Sequence, residues 1–256
     1  MRSTEAREAA PLTITGSVSL QRLSQRSKPV KEGTGTPHHV TSLNPSDRLT
    51  VLYGHPAASK IALQALVDRA LSGHPVIYLD GAHTFDALLI GRLARSRRQQ
   101  TRKALAMIHV ARAFSGRQLE RLMSQCLAGA LERYQASTAV ISGLLESISA
   151  DCLTDKEITW VTDRMVESMR HLTQQGFSLL CPCPSVPMPM APAHRLFAML
   201  RSMSDRCIHV YDGQGKIMTE ELSPDAMPPY ADSFEGIGSG SSLPFQSDSQ
   251  CASSAN

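Results

Sequence analysis

Between Arg48 and about Glu220, short apolar runs rich in β-forming residues alternate with longer stretches of helical periodicity, and few folds accommodate that alternation. Strands are expected at 48–53, 75–80, 105–111, 137–143, 176–182 and 206–211, with helices near 59–72, 84–95, 115–134, 155–175 and 191–203. A strand, a crossover helix and a second strand run parallel, so the pattern predicts an α/β domain with a mainly parallel twisted sheet and helices on both faces. The segment YDGQGKI, Tyr211 to Ile217, has the Asp-Gly and Gly residues of a hairpin, which adds one antiparallel edge. A ligand crevice is expected beyond the carboxyl ends of the strands.

The flanks differ from this middle. Residues 1–46 and 223–256 mix Ser, Pro, Gly and charge with little periodicity, so flexible tails are expected around a core domain at 47–222. With 256 residues and 42% hydrophobic content, the chain can bury one substantial core. His38 and His39 are adjacent and lack a nearby Cys or carboxylate cluster, which favours a loop over a metal site. Six cysteines fall mostly inside apolar runs without the spacing of a disulfide framework; a reducing, cytoplasmic setting fits them. No segment approaches the roughly eighteen apolar residues of a membrane span, so no membrane partner is expected. A net charge of +3 is too small to indicate nucleic-acid binding from composition.

The stretch LTVLYGHPAASKI, residues 49–61, resembles a phosphate-binding P-loop: a buried strand, a tight turn at Gly54 and a helix start carrying Lys60. The pattern G-x-x-x-x-G-K-[ST] needs a second glycine where this chain has Ser59 and a hydroxyl where it has Ile61. Serine can form the anion-binding nest only with strain, and the hydrocarbon of Ile61 cannot ligate magnesium. Lys60 remains available as a point charge. The same eight residues also fit an ordinary strand-to-helix turn with Lys60 in solvent.

Several segments in order resemble the ATPase core of RecA-like recombinases, especially the archaeal and eukaryotic recombinases and their paralogues, over about residues 46–220. DRLTVLYG (Asp47 to Gly54) is similar to the strand entering the P-loop, and HPVIYLDGAHTFD (His74 to Asp86) to the second strand with its acidic turn. IHVARAFSGRQLERLM (Ile108 to Met123) carries the closest likeness. STAVISGLLESI (Ser137 to Ile148) resembles the strand that usually ends in the magnesium-site aspartate, and SDRCIHVYDGQGKI (Ser204 to Ile217) the final strand and hairpin. The resemblance implies a RecA-like P-loop fold with ATP as its cofactor. Its catalytic positions are altered: the water-activating glutamate falls on Ala82 and the fourth-strand aspartate on Ser142, neither of which supplies a carboxylate. Asp80, or Glu146 under a shifted alignment, is the remaining acidic candidate. The implied nucleotide site, Gly54, Ser59, Lys60, Ile61, Asp80 and Ser142, is therefore vestigial, with ATP held without hydrolysis and magnesium poorly supported.

In the family, DNA is held by loops after the fourth and fifth strands. Here the first, 146–157, carries Glu146, Asp151, Asp155 and Glu157 against Lys156 alone, and the second, 181–193, has no Lys, Arg or aromatic residue. Met188 and Met190 in the second suit either an adaptable protein contact or gap filling; Cys181 and Cys183 are expected as buried thiols. The strongest basic cluster is Arg92, Arg95, Arg97, Arg98, Arg102 and Lys103, a surface for DNA or an acidic partner, or a solvated helix end. Arg112 and Arg117, at the end of the third strand, suit either a phosphate or a nearby carboxylate. The resemblance and the substitutions together lead to an accessory or regulatory factor in DNA recombination or repair acting through protein contacts, with an active RecA-like ATPase as one such partner. The alternatives are an active ATP-binding ATPase or nucleotide switch, and a DNA-binding module using residues 92–103.

Overall fold

The computed structural model describes residues 47–150 and 153–223. The expected tails, with His38 and His39, lie outside them, as do Asp151, Cys152 and Cys251.

Seven strands form one sheet: β1 (Leu49–Tyr53), β2 (Val76–Asp80), β3 (Ile108–Arg112), β4 (Thr138–Ser142), β5 (Ser178–Cys183), β6 (Arg206–Gly213) and β7 (Lys216–Leu222). Their order is β3-β2-β4-β5-β1-β6-β7. All neighbours are parallel except β6 and β7, which are joined by a Gln214–Gly215 turn with both φ angles positive, the backbone of a two-residue hairpin. Every residue of β1, β2 and β4 is buried, as strands covered on both faces require.

Two apolar layers cover the faces. Helices α1 (Ala57–Leu71), α2 (Ala87–Ser96) and α3 (Thr101–Ala106) pack on one side against Leu52, Val76, Tyr78 and Ile208. On the other side lie α4 (Gly116–Arg121), a π-helical turn (Leu122–Cys126), α5 (Leu127–Arg133), α6 (Leu144–Ala150), α7 (Asp155–Gln174) and α8 (His194–Met203), against Val51, Tyr53, Leu79 and Ile141. The α/β architecture, the mainly parallel sheet, the two helical faces and the antiparallel edge agree with expectation.

Several details differ. Helix α1 begins at Ala57, two residues before the expected start. Residues 101–106 form α3, so the third strand starts at Ile108 and not at 105. The expected acidic loop opens as helix α6. Strand β5, expected to end at 182, runs one residue further to Cys183, with Pro182 paired beside Leu52. Proline lacks a ladder donor, and β5 tolerates it because its pairing with β4 stops at Leu180 opposite Val140. The sheet therefore parts between β4 and β5 at the carboxyl edge.

Candidate functional site

The expected nucleotide site begins where β1 ends. Gly54 has φ +103, and a Cβ there would lie 2.7 Å from Cδ2 of His209, so this turn needs glycine for both its conformation and the close approach of β6. Only three residues, Gly54 to Pro56, separate β1 from α1. Their donors are largely spent: Gly54 N donates to the Cys183 carbonyl at 3.2 Å, Ala57 N to His55 Nδ1 at 3.0 Å and Ala58 N to the His55 carbonyl at 2.9 Å. Pro56 has no N–H. Ser59, Lys60 and Ile61 already sit within α1, so Ser59 adopts ordinary helical backbone and carries none of the strain a phosphate nest would impose. Ile61 packs into the α1–α3 core layer, while Lys60 stands exposed.

The carboxyl ends of β3, β2 and β4 bring Arg112, Asp80 and Ser142 into one register row. Asp80 is fully buried, and its carboxylate is engaged on several sides. Arg112 Nη2 and Nε donate to it at 2.9 and 3.1 Å, Thr84 N at 2.9 Å, Phe85 N at 3.4 Å, and the Ser142 hydroxyl at 3.4 Å. The single Ser142 hydroxyl proton is shared between this carboxylate and the Leu79 carbonyl at 3.2 Å. The acidic candidate is thus committed to pinning the β2 turn, with a guanidinium beside it. Ala82 lies in that turn and offers no carboxylate. Of the two roles open to Arg112 and Arg117, each takes the carboxylate one: Arg112 pairs with Asp80 and Arg117 with Glu157.

Glu146 sits in the first turn of α6. Both of its carboxyl oxygens are shielded from water, and no hydrogen bond of good geometry reaches them among the described residues. Burial raises its pKa, only partly opposed by the backbone N–H groups of Glu146 and Leu145. Burial also pushes the Cys181 thiol up to about 12 and Cys183 well above its ordinary value, with Cys181 and then the Glu146 carboxylate adding to the latter. Both cysteines are buried, free thiols. A carboxyl whose folded pKa lies above its unfolded value contributes fully below the unfolded pKa and loses that contribution as pH rises through the folded one. Glu146→Gln is therefore expected to melt higher than wild type at pH 7.5 and to converge with it near pH 4; equal separation at both values in thermal melts would refute the assignment.

The basic cluster spans the end of α2 and the start of α3, at the amino edge of the sheet. Arg92 pairs with Asp86 at 3.6 Å and Arg97 with Asp68. Arg95, Arg98, Arg102 and Lys103 are exposed. Met188 and Met190 are 58% and 95% exposed, so they fill no gap beside the sheet.

Sequence reasoning missed a groove on the opposite helical layer, where Trp160 of α7 is 55% exposed beside α4 and the π-helical turn. A signal was present. The buried stripe of α7 runs through Val161, Met165, Met169 and Leu172, and Trp160 is out of phase with it. No protein-family model matches this chain, and no curated protein matches it significantly.

Proposed function

We propose that this protein is a catalytically degenerate RecA-like factor that acts through protein contacts in DNA recombination or repair. The sequence resemblance supplies the family and the process. The mainly parallel sheet with a terminal antiparallel hairpin supports it, being the layout the resemblance implies. One observation carries the loss of catalysis: the turn between β1 and α1 keeps its scaffold but has only three residues, with the Gly54 donor bonded to Cys183, none on Pro56, and the Ala57 and Ala58 donors at the start of α1 turned back onto His55. A phosphate would have to displace those bonds. Asp80 would have to give up Arg112 to serve a metal.

Contact through protein surfaces is supported by the apolar side chains left in water near the ends of β2 and β3. Leu88 is 78% and Phe114 73% exposed, with the His83 ring 5.0 Å from that of Phe114. Strand β3 at that edge has an unpaired side in the sheet, and such edges recruit partners.

The test is titration with a fluorescent ATP analogue, with and without magnesium, with Lys60→Ala as control. No saturable binding is expected. Lys60→Ala should change stability by less than about 0.5 kcal/mol, as for other exposed positions, and leave activity in cells intact. Saturable binding that Lys60→Ala abolishes would replace the proposal with a nucleotide switch. Salt-sensitive binding of DNA lost on neutralising Arg95, Arg98, Arg102 and Lys103 would instead make the basic cluster the working surface.

A further inference from the structure

The groove between α4, the π-helical turn and the first half of α7 is open to solvent and offers about 520 Å³, room for a short peptide segment. Its floor carries an unusual balance of charge. Glu157 closes the α7 capping box with Thr154 and pairs with Arg117, and Glu120, only 5% exposed, pairs with Arg164 at 3.4 Å. Both lining carboxylates are thus neutralised. Among the described residues Arg121 bonds the neutral Gln125, whose Oε1 accepts from Nε at 3.1 Å, and neither it nor the exposed Lys156 has a carboxylate partner. Two cations without a carboxylate partner among the described residues thus line the groove together with the half-exposed Trp160. The helix beside them widens into a π turn, a feature concentrated at functional sites.

We propose that this groove docks a short acidic segment of a partner protein, its carboxylates held by Arg121 and Lys156 and an aromatic or branched apolar side chain set against Trp160. Tryptophan and arginine are the residues that most often anchor interfaces, and guanidinium–carboxylate bonds supply orientation. Nucleic acid fits less well. A strand needs a continuous cationic track, whereas the exposed face of α7 beyond the groove turns to Asp163, engaged by Arg195, and Glu167, engaged by Arg170. The inference rests on the protein-contact part of the proposed function and is independent of its nucleotide part, so a null nucleotide titration stands whichever way this test falls.

Trp160 is the single tryptophan of the chain, so its fluorescence reports on this groove alone. The full-length protein is titrated with the end-blocked peptide Glu-Asp-Phe-Glu-Asp-Leu. A saturable shift is expected, with Kd on the order of 10–100 μM, weakened at least tenfold by the double charge reversal R121E/K156E and by changing the peptide's Phe to Ser. The Ser peptide keeps the test decisive even if the double variant does not fold. No saturable shift, an equal response to a peptide with Lys at the acidic positions, or indifference to both the charge reversal and the Ser change would overturn the proposal. A stronger, salt-sensitive response to an oligothymidylate would overturn it in favour of nucleic acid.

Discussion

Gly143→Ala is expected to leave little folded protein. Gly143 follows β4 with φ +80, and a Cβ there would lie 2.2 Å from both the Ala82 nitrogen and the Gly81 carbonyl carbon. These are backbone atoms of the turn after β2, which cannot swing aside as a side chain can. That turn is held from both directions, since Gly81 N donates to the Ser142 carbonyl at 3.0 Å and a Cβ on Gly81 would itself come within 2.8 Å of that oxygen. The left-handed conformation alone costs an alanine about 1 kcal/mol, and forcing apart two strand ends raises the loss to about 4 kcal/mol or more, comparable to the whole stability of many domains. Gly73→Ala provides the control. Its φ is +87 and an added methyl would meet nothing within 4 Å, so its loss should stay near the roughly 1 kcal/mol of the conformation itself. Urea unfolding of both variants checks the pair; equal midpoints would show that the contact at Gly143 is not rigid.

Arg112→Ala should be the next most damaging change, at about 2–3 kcal/mol, because removing one partner of a buried ion pair leaves an uncompensated charge. Here the loss falls toward the lower end, because the Arg112 side chain is 45% exposed and Asp80 retains its bonds from Thr84, Phe85 and Ser142. Asp80→Asn in the same chain should recover part of the loss, since an amide is cheaper to leave unpaired than a carboxylate. A double-mutant cycle on denaturant midpoints measures that coupling; additive effects would mean that Arg112 does not hold Asp80 in solution.

Much of the sheet was legible because its strands are short, apolar and separated by long periodic helices. The errors have local causes. In TRKALAMIHV, residues 101–110, the apolar positions run on from a six-residue helix into the strand, so periodicity had no break to mark Ile108 as the start. Residues 144–150 sit next to acidic and polar positions that read as a loop, but Leu144, Leu145 and Ile148 are buried and make a short helix. Pro182 was expected inside the fifth strand, and β5 holds it there because its pairing with β4 has already ended at Leu180. The residues around Gly54 mark the right turn but do not reveal that His55 Nδ1 takes the Ala57 donor or that the Cys183 carbonyl takes the Gly54 donor. The Arg112–Asp80–Ser142 row depends on β2 lying between β3 and β4, an order that no local pattern encodes. Trp160 was visible only by its phase on α7.

Leu119, Met123, Leu127 and Leu131 recur at intervals of four, and all are buried. On a regular helix of 3.6 residues per turn, each such step overshoots by about 40°, and three steps would carry Leu131 about a third of the way round, off the sheet. The wider i→i+5 turn at Leu122–Cys126 takes back part of that rotation. A fourfold repeat and one loosened turn thus behave as a matched pair, in which the irregularity keeps a straight row of side chains aimed at the same floor. Deleting one residue there would regularise the backbone and misalign the row.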